Sequence, residues 1–484
     1  MAEVNINSEI KRGIFWVALD KYSGQIIAIC ISMVLARLLT PYDYGVVATA
    51  SVLLAFLTIF STIGIAPAII QRDDLNQNDL NNIFTFSIFI GLAVGSISFA
   101  SSWIIAEFYG NPLLRPVIQI LSVGMFWGTI NMVPAALMSK NKRFKEMAAR
   151  SLAFQIIFGI IGIASAFYGA GVYALIYPQI LASICTFFYN NHFYPVHISW
   201  RFNIEPIKRI FSYSSFVFLS EVTNYFSRNL DKLVIGKVIS ADALGYYEKS
   251  YRLMQMPLNN ISSVIYPVLQ PIMSGLQNDM KQIATKYAKI VSIIATVSFP
   301  IAVYLYFTAT EIITIMFGEA WLPAIPSFKI LALSIPLMLI CNPNGAIFLS
   351  CNASKQMFYV TIINTLFTVL GFTIATLWGG SIEAIAWGWS STILLGTLNS
   401  YYQLYVLVMR QSLIPVIKSI IYPAINAILL IVAYIAYNFY IPSSIHVYIH
   451  FMLKGFLGVV IVVVYLKMTN QFDTIGFVRS KLNR

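Results

Sequence analysis

Charge is what this sequence has least of. Only 10% of its 484 residues are Asp, Glu, Lys or Arg, against about 25% in an ordinary soluble domain. With 58% of the residues hydrophobic, the composition excludes a soluble globular chain and points to a polytopic membrane protein. Cysteine is scarce as well. Cys30, Cys185, Cys341 and Cys351 lie within or at the ends of apolar spans, and no paired spacing points to a metal or redox site. His446 and His450 have the i, i+4 spacing of a ligand pair, but no carboxylate or Cys nearby completes a metal site. There is no Gly-x-x-x-x-Gly-Lys-Ser/Thr loop, which argues against ATP drive within the chain. No cleavable signal is expected, because the first apolar run begins near Ile14, is too long and lacks a small-residue cleavage site.

What the chain has in quantity is apolar length. A helix needs roughly 20 apolar residues to cross the hydrocarbon core, and fourteen stretches qualify: 14–36, 45–66, 83–106, 116–138, 151–168, 172–190, 212–236, 254–274, 290–310, 327–350, 358–378, 384–408, 416–437 and 447–466. Lys and Arg are retained on the cytoplasmic side. With the N-terminus inside, the exterior loops hold only Arg37, Arg115, Lys237, Lys249 and Arg252, while Lys140, Lys142, Arg143, Lys145 and Arg150 cluster inside. Both termini are therefore expected in the cytoplasm. The same rule accounts for most of the +12 net charge, so no nucleic-acid partner is expected, and some of that charge is expected to meet anionic lipid headgroups.

The sequence repeats. Shifted by 200 residues, Pro67 falls on Pro267, Gly45 on Gly245, and Gln77-Asn78-Asp79 on Gln277-Asn278-Asp279. Ala36-Arg37-Leu38-Leu39-Thr40 likewise meets Gly236-Lys237-Val238-Ile239-Ser240. Later the offset drifts to about 210, where Gly169 to Leu175 meets Gly379 to Ile385. Six spans per repeat is an even number, so both repeats enter the membrane in the same direction and are related by an axis along its normal. The expected organisation is a six-helix lobe over 1–200, a second over 201–412, and two additional helices with a tail over 413–484. Pro67 and Pro267, being matched, are the expected hinges among the many span prolines.

Ionisable side chains at membrane depth are costly, at least ~2.5–3.5 kcal/mol, and normally face a cavity or a partner. Asp20 and Lys21 sit in the first span, and Glu221, Arg228, Asp231 and Lys232 in the seventh, its equivalent in the second repeat. At about 100° per residue, Glu221, Asn224, Tyr225, Arg228, Asp231 and Lys232 share roughly a third of the helix circumference, over about 16 Å. Such a stripe suits an extended polar ligand better than a point-like ion. The plainer account is that these charges pair within the bundle, Arg228 with Asp231 or Glu221 and Lys21 with Asp20. Lys329 and Lys454 are weaker cases, either of which could snorkel toward headgroups.

The segment Ala36-Arg37-Leu38-Leu39-Thr40-Pro41-Tyr42-Asp43-Tyr44-Gly45, following an apolar first span, resembles the hallmark of bacterial Wzx-type polysaccharide and O-antigen flippases. These form part of the multidrug/oligosaccharidyl-lipid/polysaccharide exporter superfamily. The resemblance implies an all-α, MATE-like fold of about 14 transmembrane helices, with two parallel-related six-helix lobes around a water-filled cavity. It further implies a lipid-linked oligosaccharide, on undecaprenyl pyrophosphate, moved from the inner to the outer leaflet of the bacterial cytoplasmic membrane for surface polysaccharide assembly. Members carry cavity charges, and Lys21, Arg228 and Lys232 occupy suitable positions; Asp20, Glu221 and Asp231 make the set mixed in sign. No cofactor is expected, and the drive is left open between a proton or sodium gradient and consumption of product outside. Partners beyond lipids and substrate would be a polysaccharide polymerase and chain-length proteins. The rival readings are a cation-coupled multidrug antiporter, with Asp20 as coupling carboxylate, and a lipid II flippase. A membrane-embedded glycan polymerase would need a large exterior loop with acidic or His catalytic groups, whereas these exterior loops are short and poor in both.

Overall fold

In lipid, a spanning segment must satisfy its backbone internally, and this chain does so with helices. The structure, a computed structural model, describes residues 2–61, 65–199, 203, 205, 215–277, 279–442 and 446–469. No strand occurs among them. All fourteen expected cores overlap helices, and among the described residues ten helical segments are long and apolar enough to cross a membrane.

By packing, the chain divides into two compact units, Met1–Gly245 and Tyr246–Arg484. The first contains α1 (Ala2–Leu38), α2 (Pro41–Ser61), α3 (Ile65–Gln71), α4 (Gln77–Tyr109), α5 (Leu114–Ile130), α6 (Met132–Lys140), α7 (Phe144–Phe167), α8 (Tyr173–Phe193) and α9 (Ser215–Val234). A π-helical turn, Ile235–Ile239, leads into α10 (Ala241–Ser274), whose first turn completes this unit. The second contains the rest of α10, α11 (Met280–Phe307), α12 (Ala309–Phe317), α13 (Ile325–Cys341), α14 (Asn344–Ser350), α15 (Ser354–Trp378), α16 (Ile382–Tyr401), α17 (Ile414–Tyr440) and α18 (Val447–Met468). Sequence equivalence groups α9 with the second repeat, whereas packing groups it with the first unit.

Much of the internal echo is helix-start chemistry. Asn76 caps α4 by accepting from Asp79 N at 2.9 Å, and the Asn76 N–H donates back to the Asp79 carboxylate at 3.2 Å. In the second repeat Asp279 itself caps α11, accepting from Gln282 N at 2.9 Å. The repeated Gln-Asn-Asp text thus stops the free amides of both helices, in two different registers. The prolines behave less symmetrically. Pro67 lies in the short α3, which begins four positions after α2 ends at Ser61, while Pro267 lies inside the unbroken α10.

The repeats also share a broken helix. α5 gives way to α6 at Asn131, and α13 to α14 at Asn342-Pro343. Each break is held by an amide: Asn190 Nδ2 donates to Asn131 Oδ1 at 2.9 Å, and Asn344 Nδ2 donates to Ser400 Oγ at 2.7 Å. Asn190 and Ser400 are 210 residues apart, so the same helix of each repeat supplies the clamp. In the second unit the clamp extends into a tyrosine cluster, with Tyr287 OH on Asn344 Oδ1 and Tyr401 OH on Ile340 O at 2.6 Å. Interrupted backbone at membrane depth is tolerated where protein buries it, and Asn190, Asn344 and Ser400 are all buried.

Two lysines depart from expectation. Lys454 does not snorkel: its ammonium lies 2.6 Å from Glu311 Oε1 and 2.9 Å from Phe307 O, with Tyr437 facing it. It and Gly458 are the buried residues of α18, so the ion pair is a buried polar anchor for this helix. Lys249, expected in an exterior loop, is buried on α10 over the rings of Phe317 and Trp321, at 4.8 and 5.5 Å. The reason is that α10 starts at Ala241, well before the apolar core that periodicity alone delimits.

Removing one partner of a buried ion pair strands a charge, at a cost of about 3–5 kcal/mol, whereas replacing both with apolar groups is often neutral. Lys454→Met is therefore expected to lower the unfolding midpoint in detergent sharply, and Lys454→Met with Glu311→Leu to restore most of it. A double variant no more stable than the single would show that the pair does not anchor α18.

Candidate functional site

One group of polar residues in the first unit lies along α1, α7 and α8. Glycines bring α1 and α7 close: a Cβ on Gly159 would lie 2.2 Å from Ile31 Cδ1, and Gln155 Nε2 donates to Gly24 O at 2.8 Å. On this seam Asp20 is half-buried. The Arg150 guanidinium donates to Asn190 Oδ1 and lies 5.9 Å from the Tyr189 ring, so it is held by the same amide that clamps the α5–α6 break. Lys21, the next residue on α1, is exposed and lies 5.9 Å from the ring of Tyr22. Nearer the basic loop, Arg143 pairs with Glu146 at 3.0 Å and Lys145 lies over Trp16 at 5.8 Å.

The seventh-span residues lie on α9, which packs on α2. Tyr225 OH donates to Val52 O, and Phe56 packs against Tyr225 and Phe226 with centroids 6.0 and 4.9 Å apart. Asp231 is buried and accepts from Lys232 N at 2.8 Å; Lys232 is half-buried. Arg228 is exposed. The side chains of Glu221 and Asn224 lie outside the described residues. The stripe thus has a packed edge, Tyr225 and Asp231, and an open edge, Arg228.

Sequence reasoning missed Arg150, counting it as one more cation of an inside loop. Position along the chain suggested that assignment, because nothing in a single sequence shows that α7 begins at Phe144 and carries Arg150 against Asn190. The repeat-matched amides at the helix breaks were the available signal.

The geometry separates Arg150 from Arg228. Arg150→Ala leaves Asn190 Oδ1 without its charged donor, a loss of about 1.5–3 kcal/mol, and is expected to lower the thermal unfolding midpoint. Arg228→Ala, at an exposed position, is expected to change stability by no more than ~0.5 kcal/mol. Equal losses would place Arg228 in the packing.

Residues 34–326, more than half of the chain, match the family described as polysaccharide biosynthesis protein. Teichuronic acid biosynthesis protein TuaB of Bacillus subtilis (strain 168) is 25% identical over 387 residues, covering 79% of this chain and 80% of that protein. Lipopolysaccharide biosynthesis protein WzxC of Escherichia coli (strain K12) is 22% identical over 392 residues, 78% of this chain and 77% of that one. In fold, the chain is similar to the lipid II flippase MurJ in an inward closed conformation, with a TM-score of 0.73 at 15% identity, covering 95% of this chain and 99% of the other. The Wzx-type resemblance carried by Ala36 to Gly45 falls inside the matched region, and the chain belongs to the polysaccharide biosynthesis protein family.

Proposed function

We propose that this protein moves undecaprenyl-pyrophosphate-linked oligosaccharide units from the inner to the outer leaflet of the bacterial cytoplasmic membrane, by alternating access. The observation that carries the reading is the exposure of Lys21 and Arg228, both well inside their helices. A charge exposed at membrane depth is costly against hydrocarbon, so these surfaces of α1 and α9 suit water and an anionic ligand. Family membership and a flippase fold support the same conclusion.

The physical need is clear from the substrate. An unpaired hydroxyl taken into hydrocarbon costs roughly 2–7 kcal/mol, so an oligosaccharide meets a prohibitive barrier unless it travels in a polar passage while its lipid tail stays in the bilayer. Lys21 and Arg228 are suited to neutralise the pyrophosphate, while Arg150, held by Asn190, belongs to the packing behind them. A transporter of this kind forms and breaks no covalent bond, and its drive is either an ion gradient or removal of product at the outer leaflet.

The test is transbilayer movement of a fluorescent undecaprenyl-pyrophosphate oligosaccharide in proteoliposomes. Movement is expected to depend on the protein and to fall about tenfold or more in Arg228→Ala, the loss of one charge-assisted contact worth about 1.5–3 kcal/mol. No movement across a panel of lipid-linked glycans, together with proton-linked efflux of a cationic dye, would replace the flippase with an antiporter.

A further inference from the structure

The segment that marks the family has a structural twin within the same unit. Thr40 and Asp43 form a reciprocal cap at the start of α2: the Thr40 N–H and hydroxyl donate to Asp43 Oδ2 at 3.0 and 2.7 Å, and Asp43 N donates to Thr40 Oγ1 at 3.3 Å. Pro41, in the first helical position, gives up an amide that has no partner there in any case. At the start of α10, Ser240 Oγ accepts from Ala243 N at 3.0 Å. The two helix starts, 200 residues apart in sequence, are built alike and lie against each other.

Their contact is reciprocal. A Cβ on Gly45 would lie 1.7 Å from Ala241 O, and a Cβ on Gly245 would lie 2.0 Å from Pro41 O. Each glycine faces the carbonyl of the residue that begins the other helix. Residue 41 corresponds to 241 and 45 to 245, so the contact repeats itself about a local two-fold. Close approach through small residues, with Cα–H donated to a facing carbonyl, is how helices pack tightly without a hydrophobic drive. The neighbours extend the seam: a Cβ on Gly236 would meet Thr49 Oγ1 at 3.2 Å and the Tyr109 ring at 3.4 Å, and Lys237 donates to Phe108 O. A π-helical turn, Ile235–Ile239, lies immediately before the crossing; such turns are frequent at functional positions. The first unit ends at Gly245, where the crossing ends.

We infer that the Gly45–Gly245 crossing is the exterior gate of the transporter: a reversible seam between equivalent helix starts of the two repeats, closed by backbone contact and opened when the first turn of α10 leaves α2. The inference rests on the alternating-access reading and assigns it a place. By the charge distribution of the loops, residues 38–45 and 235–245 lie on the exterior side. The atoms facing the two glycines are main-chain, so a side chain added at either glycine holds the crossing apart. Because each clash is with a main-chain oxygen, removing the Ala241 side chain gives no relief.

The experiment places a single cysteine at Thr49, buried one turn below Gly45, in a chain whose four native cysteines are replaced by serine. Labelling by a membrane-impermeant maleimide from outside is read in cells. Gly45→Ala and Gly245→Ala are each expected to raise it several-fold and to slow lipid-linked oligosaccharide transport, and Gly45→Ala with Ala241→Gly is expected to match Gly45→Ala alone. Folded variants that label and transport like their parent overturn the gate. Should the alanine variants fail to fold, spin labels at the exposed positions Leu38 and Asp242 in the glycine-intact chain give the second reading. A longer distance population appearing with substrate supports the gate, and one unchanged distance during transport overturns it. Transport with an immobile seam would sink the gate and leave the flippase standing; a moving seam in a protein that transports no lipid-linked glycan would do the reverse.

Discussion

Hydrocarbon offers no hydrogen bonds, and every other feature of this structure answers to that fact. A spanning backbone must close its own amides and carbonyls, which selects helices, and helix ends, helix breaks and buried charges become the places where specific residues are required. Those places are where this chain spends its polar side chains. Asn76, Asp279, Ser240 and the Thr40–Asp43 pair supply helix starts. Asn131 with Asn190, and Asn344 with Ser400, hold the broken helices.

Within lipid, helices gain little from burying apolar surface against one another, so contact depends on shape and on the few polar pairs available. Gly159 against Ile31 and Gly45 against Ala241 show the first device. Lys454 with Glu311 shows the second, pinning the middle of α18. The devices differ in reversibility. A buried ion pair is expensive to separate, whereas a glycine-to-carbonyl contact parts without stranding a charge, which suits the second to a fixed joint and the first to a moving one.

Charges at membrane depth divide along the same line. Lys454, Arg150 and Asp231 are turned into the protein, while Lys21 and Arg228 are exposed. Only exposed ones are available to a ligand. This division carries the functional reading, because an exposed lysine or arginine on a spanning helix needs water beside it.

Fold class, the helical nature of the apolar stretches and the textual repeat were legible in the sequence, since apolar length and a fixed-shift echo are properties of the chain order itself. So was the family, through Ala36 to Gly45. The role of that segment was not, because one residue of each contact comes from the other repeat and no periodicity within α2 records its approach to α10. Lys249 was misplaced, and the partner of Lys454 unseen, for a related reason: hydropathy locates the apolar middle of a helix, but where the helix begins and what faces it depend on neighbours. Sequence alone determined that this chain is a helical, multi-pass membrane protein and that its text repeats about 200 residues on. Tertiary structure decided which charges are buried, which are exposed, and where equivalent helices touch, because those depend on residues brought together only by folding.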